Sequence, residues 1–138
     1  MVGMKNARPT PFALVVDDDA LIRMNAAEIL EEAGFATVEA GHADEALEFL
    51  REHHQAVVLL FTDVQMPGSR DGFALARETA RHWPHITIVV ASGLAWPGPD
   101  DLPDGAHFIA KPFSADVVHQ HLRDGMPDQD KPDLLKAD

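Results

Sequence analysis

The sequence contains no cysteine, which excludes disulfide bonds and thiolate metal sites. Residues 1–10 are polar, include Lys5 and Arg8, and lack the apolar core of a secretory signal peptide. Both features are consistent with the reducing interior of a cell. We therefore expect a cytoplasmic protein.

Long hydrophobic runs are also absent, since no stretch approaches the roughly 18 apolar residues that a membrane-spanning helix needs. Basic residues are scarce: 11 lysines and arginines stand against 23 aspartates and glutamates, and the formal net charge is −12. A surface this acidic repels nucleic acid phosphates and anionic membranes unless a local basic patch intervenes. The sequence has no such patch, so we expect neither a nucleic acid nor a membrane as partner.

Five short apolar segments recur along the 138 residues, and each is followed by turn residues. They cover residues 12–16, 36–40, 56–61, 86–91 and 107–110. Segments this apolar predict strands that are covered on both faces, as in a parallel sheet between two layers of helices. Amphipathic helical patterns occupy the first three gaps and follow the last segment. The alternation predicts a doubly wound α/β domain with a five-stranded parallel sheet.

The fourth gap departs from this alternation. Pro97, Pro99 and Pro103 lie close together there, and each proline in a helix interior costs about 3 kcal/mol. We predict a Pro/Gly-rich loop in place of a normal fourth helix, with a single turn near residues 100–102.

The ends of the chain are polar, and the last fifteen positions are rich in aspartate and proline. We therefore expect a flexible N-terminus over residues 1–11, a single folded domain over residues 12–123 and a disordered acidic tail over residues 124–138.

The residues directly after the predicted strands carry most of the chemistry. Ligands bind open parallel sheets beyond the carboxyl ends of the strands, where the winding direction reverses. In the strand order 2-1-3-4-5, that crevice brings together Asp17, Asp18, Asp63, Ser92 and Lys111.

Three carboxylates in one crevice need compensating positive charge, because two carboxylates about 4 Å apart repel by about 4 kcal/mol at an effective dielectric of about 20. Lys111 supplies one positive charge, and a divalent cation supplies more. Oxygen ligands with room for water and phosphate suit Mg²⁺. A carboxylate there can act as a nucleophile toward phosphorus, and Ser92 and Lys111 can hold the oxygens of the transferring group.

Each of these residues has a simpler interpretation when it stands alone. An aspartate after a strand is more often a helix cap than a nucleophile, and we predict that role for Asp19. A lone Ser92 is typical of a turn, and a lone Lys111 is typical of a solvated charge. Their joint placement after four different strands favours a site.

Four sequence motifs carry a resemblance to a known family. They are Leu-Val-Val-Asp-Asp-Asp at 14–19, Thr-Asp-Val-Gln-Met-Pro-Gly at 62–68 with Asp-Gly at 71–72, Ala-Ser-Gly at 91–93 and Lys-Pro-Phe at 111–113. All four occur in order, and together they resemble the receiver domain of two-component response regulators over residues 12–123. The resemblance implies the flavodoxin-like receiver fold and, since no output domain follows, a stand-alone receiver that signals rather than an enzyme.

The resemblance also implies a phosphoryl acceptor and its metal ligands. Asp63 would accept a phosphoryl group from a phosphohistidine on a histidine kinase or a histidine phosphotransfer protein. Asp17, Asp18 and Asp63 would bind Mg²⁺ together with the backbone carbonyl of Gln65.

Further residues acquire roles only through the resemblance. Ser92 and Lys111 would contact the transferred phosphoryl group, and Phe108 falls where the family has its switch aromatic. The Lys111–Pro112 bond is expected to be cis. Output would pass to an unknown downstream protein by protein–protein contact.

Departures from the family pattern leave alternatives open. One residue more than usual separates Asp63 from Gly72, through Ser69 and Arg70. The same chemistry would serve a phosphorelay intermediate or a phosphate sink. The Asp-x-Asp of residues 17–19 also occurs in haloacid-dehalogenase-like phosphohydrolases, and a pseudo-receiver that is never phosphorylated is a third alternative.

Overall fold

The computed structural model describes residues 10–66, 68, 70–93, 96–98 and 100–136. The predicted flexible N-terminus lies, apart from residues 10 and 11, outside the described residues. Every element that positions the predicted site falls within the described ranges.

Five parallel strands form a single sheet in the order β2-β1-β3-β4-β5. The strands are β1 (Phe12–Val16), β2 (Ala36–Ala40), β3 (Val57–Asp63), β4 (Thr87–Ser92) and β5 (His107–Ala110). This order confirms the predicted doubly wound α/β fold. Strands β3 and β4 extend further than the apolar pattern indicated, so Asp63 and Ser92 are the last residues of their strands.

Four α-helices alternate with the strands: α1 (Ala20–Glu32), α2 (Ala43–His53), α3 (Gly72–His82) and α4 (Ala115–Gly125). Side chains before all four of them accept hydrogen bonds from free backbone amides of the first turn. Asp19 caps α1, His42 caps α2, Asp71 caps α3 and Ser114 caps α4. The cap predicted at Asp19 is therefore confirmed. None of the helices in the described ranges is long and apolar enough to cross a membrane.

The core has two layers, one on each face of the sheet. Alternate residues of β1 point to opposite faces, so Ala13 and Val15 pack with α1 and α4. Leu14 and Val16 pack with α2 and α3 on the other face. Because each fully buried aliphatic side chain contributes about 1.5–3 kcal/mol, the two layers hold the strand ends in a fixed register.

The segment between β4 and β5 contains no helix among its described residues. A turn closes where the amide of Asp101 donates to the carbonyl of Gly98 at 3.2 Å, and the amide of Gly98 donates to Oδ2 of Asp101 at 2.7 Å. The prediction of a loop with a turn near residues 100–102 is confirmed. A second turn, which was not predicted, closes where the amide of Ala106 donates to the carbonyl of Pro103 at 3.1 Å. The prolines explain the loop, because they can neither donate a backbone hydrogen bond nor adopt an interior helical position without a clash.

Residues 124–136, predicted to be a disordered tail, are instead folded against the domain. Leu135 is 1% exposed and belongs to the core layer of α1 and α4. Pro132 contacts Gly34, where a Cβ would meet its ring and where φ is +110°, a value that favours glycine. The composition suggested disorder because apolar residues are few, yet Met126, directly after α4, and Leu135, in the second of two 3₁₀ turns, are both buried.

Candidate functional site

Two of the predicted carboxylates meet at the carboxyl edge of the sheet because β1 and β3 are neighbours. Val16 pairs with Thr62, so Asp17 and Asp63 follow at equivalent heights. Asp17 and Asp63 are buried, whereas Asp18 is exposed at the start of the loop to α1. One carboxylate oxygen from each of the three lies within 4.8 Å of the other two.

Lys111 reaches this cluster from the far side of β4. Its Nζ atom lies 2.9 Å from Oδ1 of Asp63 and 3.1 Å from Oδ2 of Asp17. Its backbone amide donates to the carbonyl of Ser92 at 3.0 Å, which anchors the end of β5 beside the end of β4. The lysine side chain is 18% exposed, so the ion pairs are largely shielded from water.

The ionisation of the site follows from burial and from the lysine. Burial raises the pKa of Asp63 and the charge of Asp17 raises it further, while the hydrogen bond from Lys111 opposes both; the net pKa is above its usual value. Burial alone lowers the pKa of Lys111, but hydrogen bonds to Asp63 and Asp17 outweigh it and the net pKa is raised. Lys111 is therefore a permanent ammonium group at neutral pH.

The donor set fits a magnesium ion. Three carboxylates and one ammonium group leave the cluster with a negative charge that a divalent cation offsets. All the donors are hard oxygen atoms, and the exposure of Asp18 leaves room for water and phosphate, which Mg²⁺ retains in its coordination shell.

The remaining predicted residues lie at or near the same edge. Ser92 is buried at the end of β4, where Ala91 pairs with Asp63. Gln65 is exposed two positions after Asp63. Phe108 lies on β5 and is half-buried, and its ring centroid is 5.1 Å from that of Trp96. The Lys111–Pro112 bond is cis, as predicted. The functional roles of Ser92, Gln65 and Phe108 stay predictions.

Sequence reasoning assigned no role to two arginines beside the site. Arg23 on α1 donates to the backbone carbonyl of Asp17 at 2.9 Å. Arg70, one of the two residues around the extra position in the β3–α3 loop, lies 2.6 Å from Asp44 and 3.6 Å from Glu78. These contacts depend on the tertiary placement of α2, α3 and the strand ends, so no local pattern indicates them.

The close approach of Gly72 to β3 does have a sequence signal, the Asp-Gly pair at 71–72. The amide of Gly72 donates to the carbonyl of Val64 at 2.8 Å, and a Cβ at this position would overlap the carbonyl oxygen of Asp63. Only glycine lets α3 begin this close to the acidic site.

A doubly wound sheet with acidic side chains and a lysine at its carboxyl edge defines the class of this protein. The family model of the response regulator receiver domain matches residues 13–123. The chain belongs to the response regulator receiver domain family, whose members are signalling domains. This membership favours the receiver over the haloacid-dehalogenase-like alternative.

Individual relatives agree with the family match. The chain is 35% identical over 109 residues to the chemotaxis protein CheY of Bacillus subtilis. The aligned residues cover 76% of this chain and 88% of that protein. It is 35% identical over 121 residues to the C4-dicarboxylate transport transcriptional regulatory protein DctD of Rhizobium meliloti, covering 82% of this chain and 25% of that protein. The chain thus spans about a quarter of the length of DctD.

Solved structures give the same fold. The receiver domain of the hybrid histidine kinase CckA superimposes with a TM-score of 0.72 at 26% identity, over 84% of this chain and 99% of that chain. A response regulator receiver domain protein from Clostridium thermocellum superimposes with a TM-score of 0.72 at 24% identity, over 84% of this chain and 94% of that chain.

Proposed function

We propose that this receiver domain accepts a phosphoryl group on Asp63 in a magnesium-dependent reaction. The donor is a phosphohistidine on a histidine kinase or a histidine phosphotransfer protein. The observation that carries the proposal is the contact of Lys111 with both Asp63 and Asp17, at 2.9 and 3.1 Å, beside a third carboxylate. A permanent cation that touches two carboxylates of one cluster is suited to receive phosphoryl oxygens.

Asp63 is the best acceptor of the three carboxylates because it ends the central strand. Asp17 and Asp18 lie on its β1 side; on the other side Ser92 ends β4, and Nζ of Lys111 lies 2.9 Å from Oδ1 of Asp63. A group on Asp63 is therefore accessible to ligands from both sides. Asp17 is more constrained, since Oδ1 accepts from the amide of Asp19 and Oδ2 accepts from Lys111.

In the transfer step, a carboxylate oxygen of Asp63 attacks phosphorus in line with the phosphorus–nitrogen bond of the phosphohistidine. The new phosphorus–oxygen bond forms as the phosphorus–nitrogen bond breaks, and the electron pair stays on the imidazole nitrogen. Asp17, Asp18 and Asp63, with the backbone carbonyl of Gln65, would hold a magnesium ion. When bound, magnesium supplies positive charge next to the phosphoryl oxygens.

Lys111 and Ser92 complete the acceptor site. The Lys111 ammonium ion-pairs with an oxygen of the transferred group, and the Ser92 hydroxyl donates a hydrogen bond to another. Ser92 and Phe108 form the switch through which the modified domain contacts a downstream protein. The same chemistry serves a phosphorelay intermediate or a phosphate sink, which differ only in where the phosphoryl group goes next.

The test is phosphorylation by a small donor. The parent protein is incubated with acetyl phosphate and Mg²⁺, and intact mass spectrometry is expected to detect the addition of one phosphoryl group. Asp63→Asn keeps the size of the side chain and removes the nucleophile, so it should take up none. Asp116→Asn, on the exposed face of α4, is the matched control and should be labelled like the parent. Equal labelling of Asp63→Asn and the parent would refute the assignment.

A further inference from the structure

The first turn of α1 contributes an arginine that contacts the acidic site through the backbone rather than through a carboxylate. Nη1 of Arg23 donates a hydrogen bond of 2.9 Å to the carbonyl oxygen of Asp17. Nε of the same guanidinium donates a hydrogen bond of 2.9 Å to Oε1 of Glu39 on β2. The Arg23 side chain is 22% exposed, so the fold holds both contacts in place.

Asp18 depends on its backbone for its position. Within the part of the chain that the structure describes, its carboxylate makes no hydrogen bond or ion pair. Each of the two peptide units that flank Asp18 is planar and moves as one body. The carbonyl of the preceding unit is that of Asp17 and accepts from Arg23, and the amide of the following unit, that of Asp19, donates to Oδ1 of Asp17 at 2.9 Å.

We infer that Arg23 is a positioning residue for the magnesium site: it fixes the peptide unit between Asp17 and Asp18 and thereby aims the Asp18 carboxylate at the other two. Glu39 in turn holds the guanidinium by accepting a hydrogen bond from Nε of Arg23. The position of Glu39 is fixed by the sheet, since Glu39 on β2 pairs with Val15 on β1. The inference rests on the proposed function, since it concerns the affinity of that site for Mg²⁺.

Whether the replacement of Arg23 weakens or tightens Mg²⁺ binding distinguishes a positioning role from a purely electrostatic one. A guanidinium near the site repels a cation, so an electrostatic role for Arg23 means that its removal tightens Mg²⁺ binding. A positioning role means the opposite, because Asp18 loses its orientation and binding weakens. Residues that support metal ligands typically change metal affinity by about 10–100-fold when they are replaced.

The experiment measures Mg²⁺ affinity by isothermal titration calorimetry for the parent, Arg23→Ala and Arg23→Lys. We expect Arg23→Ala to bind Mg²⁺ about tenfold more weakly. Arg23→Lys keeps the charge but lacks the two-nitrogen fork that reaches Asp17 and Glu39 together, so it should weaken binding as well. Arg81→Ala, an exposed arginine on α3, is the matched control and should bind like the parent.

A second measurement separates positioning from general damage to the site. The Mg²⁺ concentration that gives a half-maximal rate of phosphorylation by acetyl phosphate should rise about tenfold in Arg23→Ala, as the weaker Mg²⁺ binding requires, and should stay at the parental value in Arg81→Ala. Unchanged or tighter Mg²⁺ binding in both Arg23 variants would overturn the inference while leaving the proposed function intact. A parent that binds no Mg²⁺ would overturn the proposed function itself. If Arg23→Ala does not fold, Arg23→Lys decides the matter alone.

Discussion

The Nζ atom of Lys111 lies 2.9 Å from Oδ1 of Asp63, across a sequence separation of 48 residues, and 3.1 Å from Oδ2 of Asp17. The ammonium group of Lys111, the residue that follows β5, thus contacts carboxylates at the ends of both β1 and β3. The contact reduces the repulsion between two carboxylates that the sheet topology forces together.

Removal of this ammonium should destabilise the domain when no Mg²⁺ is present. Breaking a fully buried ion pair costs about 3–5 kcal/mol, and partial exposure reduces that value, so we expect Lys111→Met to lower the free energy of unfolding by about 2 kcal/mol. Urea denaturation measures the change. Lys136→Met, whose partner Asp133 is 90% exposed, is the control and should cost less than about 1 kcal/mol. Equal losses of unfolding free energy in the two variants would show that the Lys111 contacts stabilise the domain no more than an exposed ion pair does.

The exposed member of the acidic cluster should oppose folding and favour metal binding at the same time. Asp18→Asn removes one of three neighbouring negative charges, so the free energy of unfolding without Mg²⁺ should rise by about 1 kcal/mol, a value reduced by solvent screening. The stabilisation that Mg²⁺ gives the parent should shrink in this variant, because a ligand is lost. Thermal unfolding with and without Mg²⁺ tests both effects. A variant stabilised by Mg²⁺ as strongly as the parent would remove Asp18 from the site.

His107 should make the stability of the domain depend on pH. Burial lowers its pKa, and the nearby His121 lowers it further, whereas Asp124 opposes them. The folded state therefore binds fewer protons than the unfolded state, and the free energy of unfolding falls as the pH drops through about 6.5, the value for an unfolded histidine.

Urea denaturation at a series of pH values through this window measures the effect. We expect His107→Gln to lose less stability on acidification than the parent. The exposed His82→Gln is the control and should follow the parent curve. Two parallel curves for the parent and His107→Gln would contradict the account.

The C-terminal segment should contribute measurably to stability. Leu135 is 1% exposed in the core layer of α1 and α4, so Leu135→Ala removes buried methyl groups and leaves a cavity. We expect a loss of about 2–3 kcal/mol in urea denaturation. The neighbouring Leu134 is 70% exposed, and Leu134→Ala should change stability by less than about 0.5 kcal/mol. Similar small effects in both variants would mean that the segment does not pack in solution as described.

Much of the fold followed from local pattern. The apolar runs predicted all five strands, because buried parallel strands need continuous apolar sequence, and the prolines predicted the loop before β5. Composition failed for residues 124–136, because it averages over the segment and misses the few positions, such as Leu135, that become buried. Burial there depends on the surface that α1 and α4 present, which no local window contains.

The residues of the site also fall into two groups, those that the sequence predicted and those that depend on tertiary contacts. Asp17, Asp18, Asp63 and Lys111 were predictable because residues that follow parallel strands share one edge. Arg23 was not, because its contact with the Asp17 carbonyl depends on how α1 lies against β2. Arg70 was flagged only as an extra position near the β3–α3 loop, and its ion pairs with Asp44 and Glu78 required the positions of two helices.

The most direct test of the central claim locates the phosphoryl group itself. The parent is treated with acetyl phosphate and Mg²⁺, the acyl phosphate is reduced with borohydride to homoserine, and the modified position is read by peptide mass spectrometry. The account predicts homoserine at position 63 only when Mg²⁺ is present. Homoserine at position 17 or 18, or no modification at position 63, would contradict it.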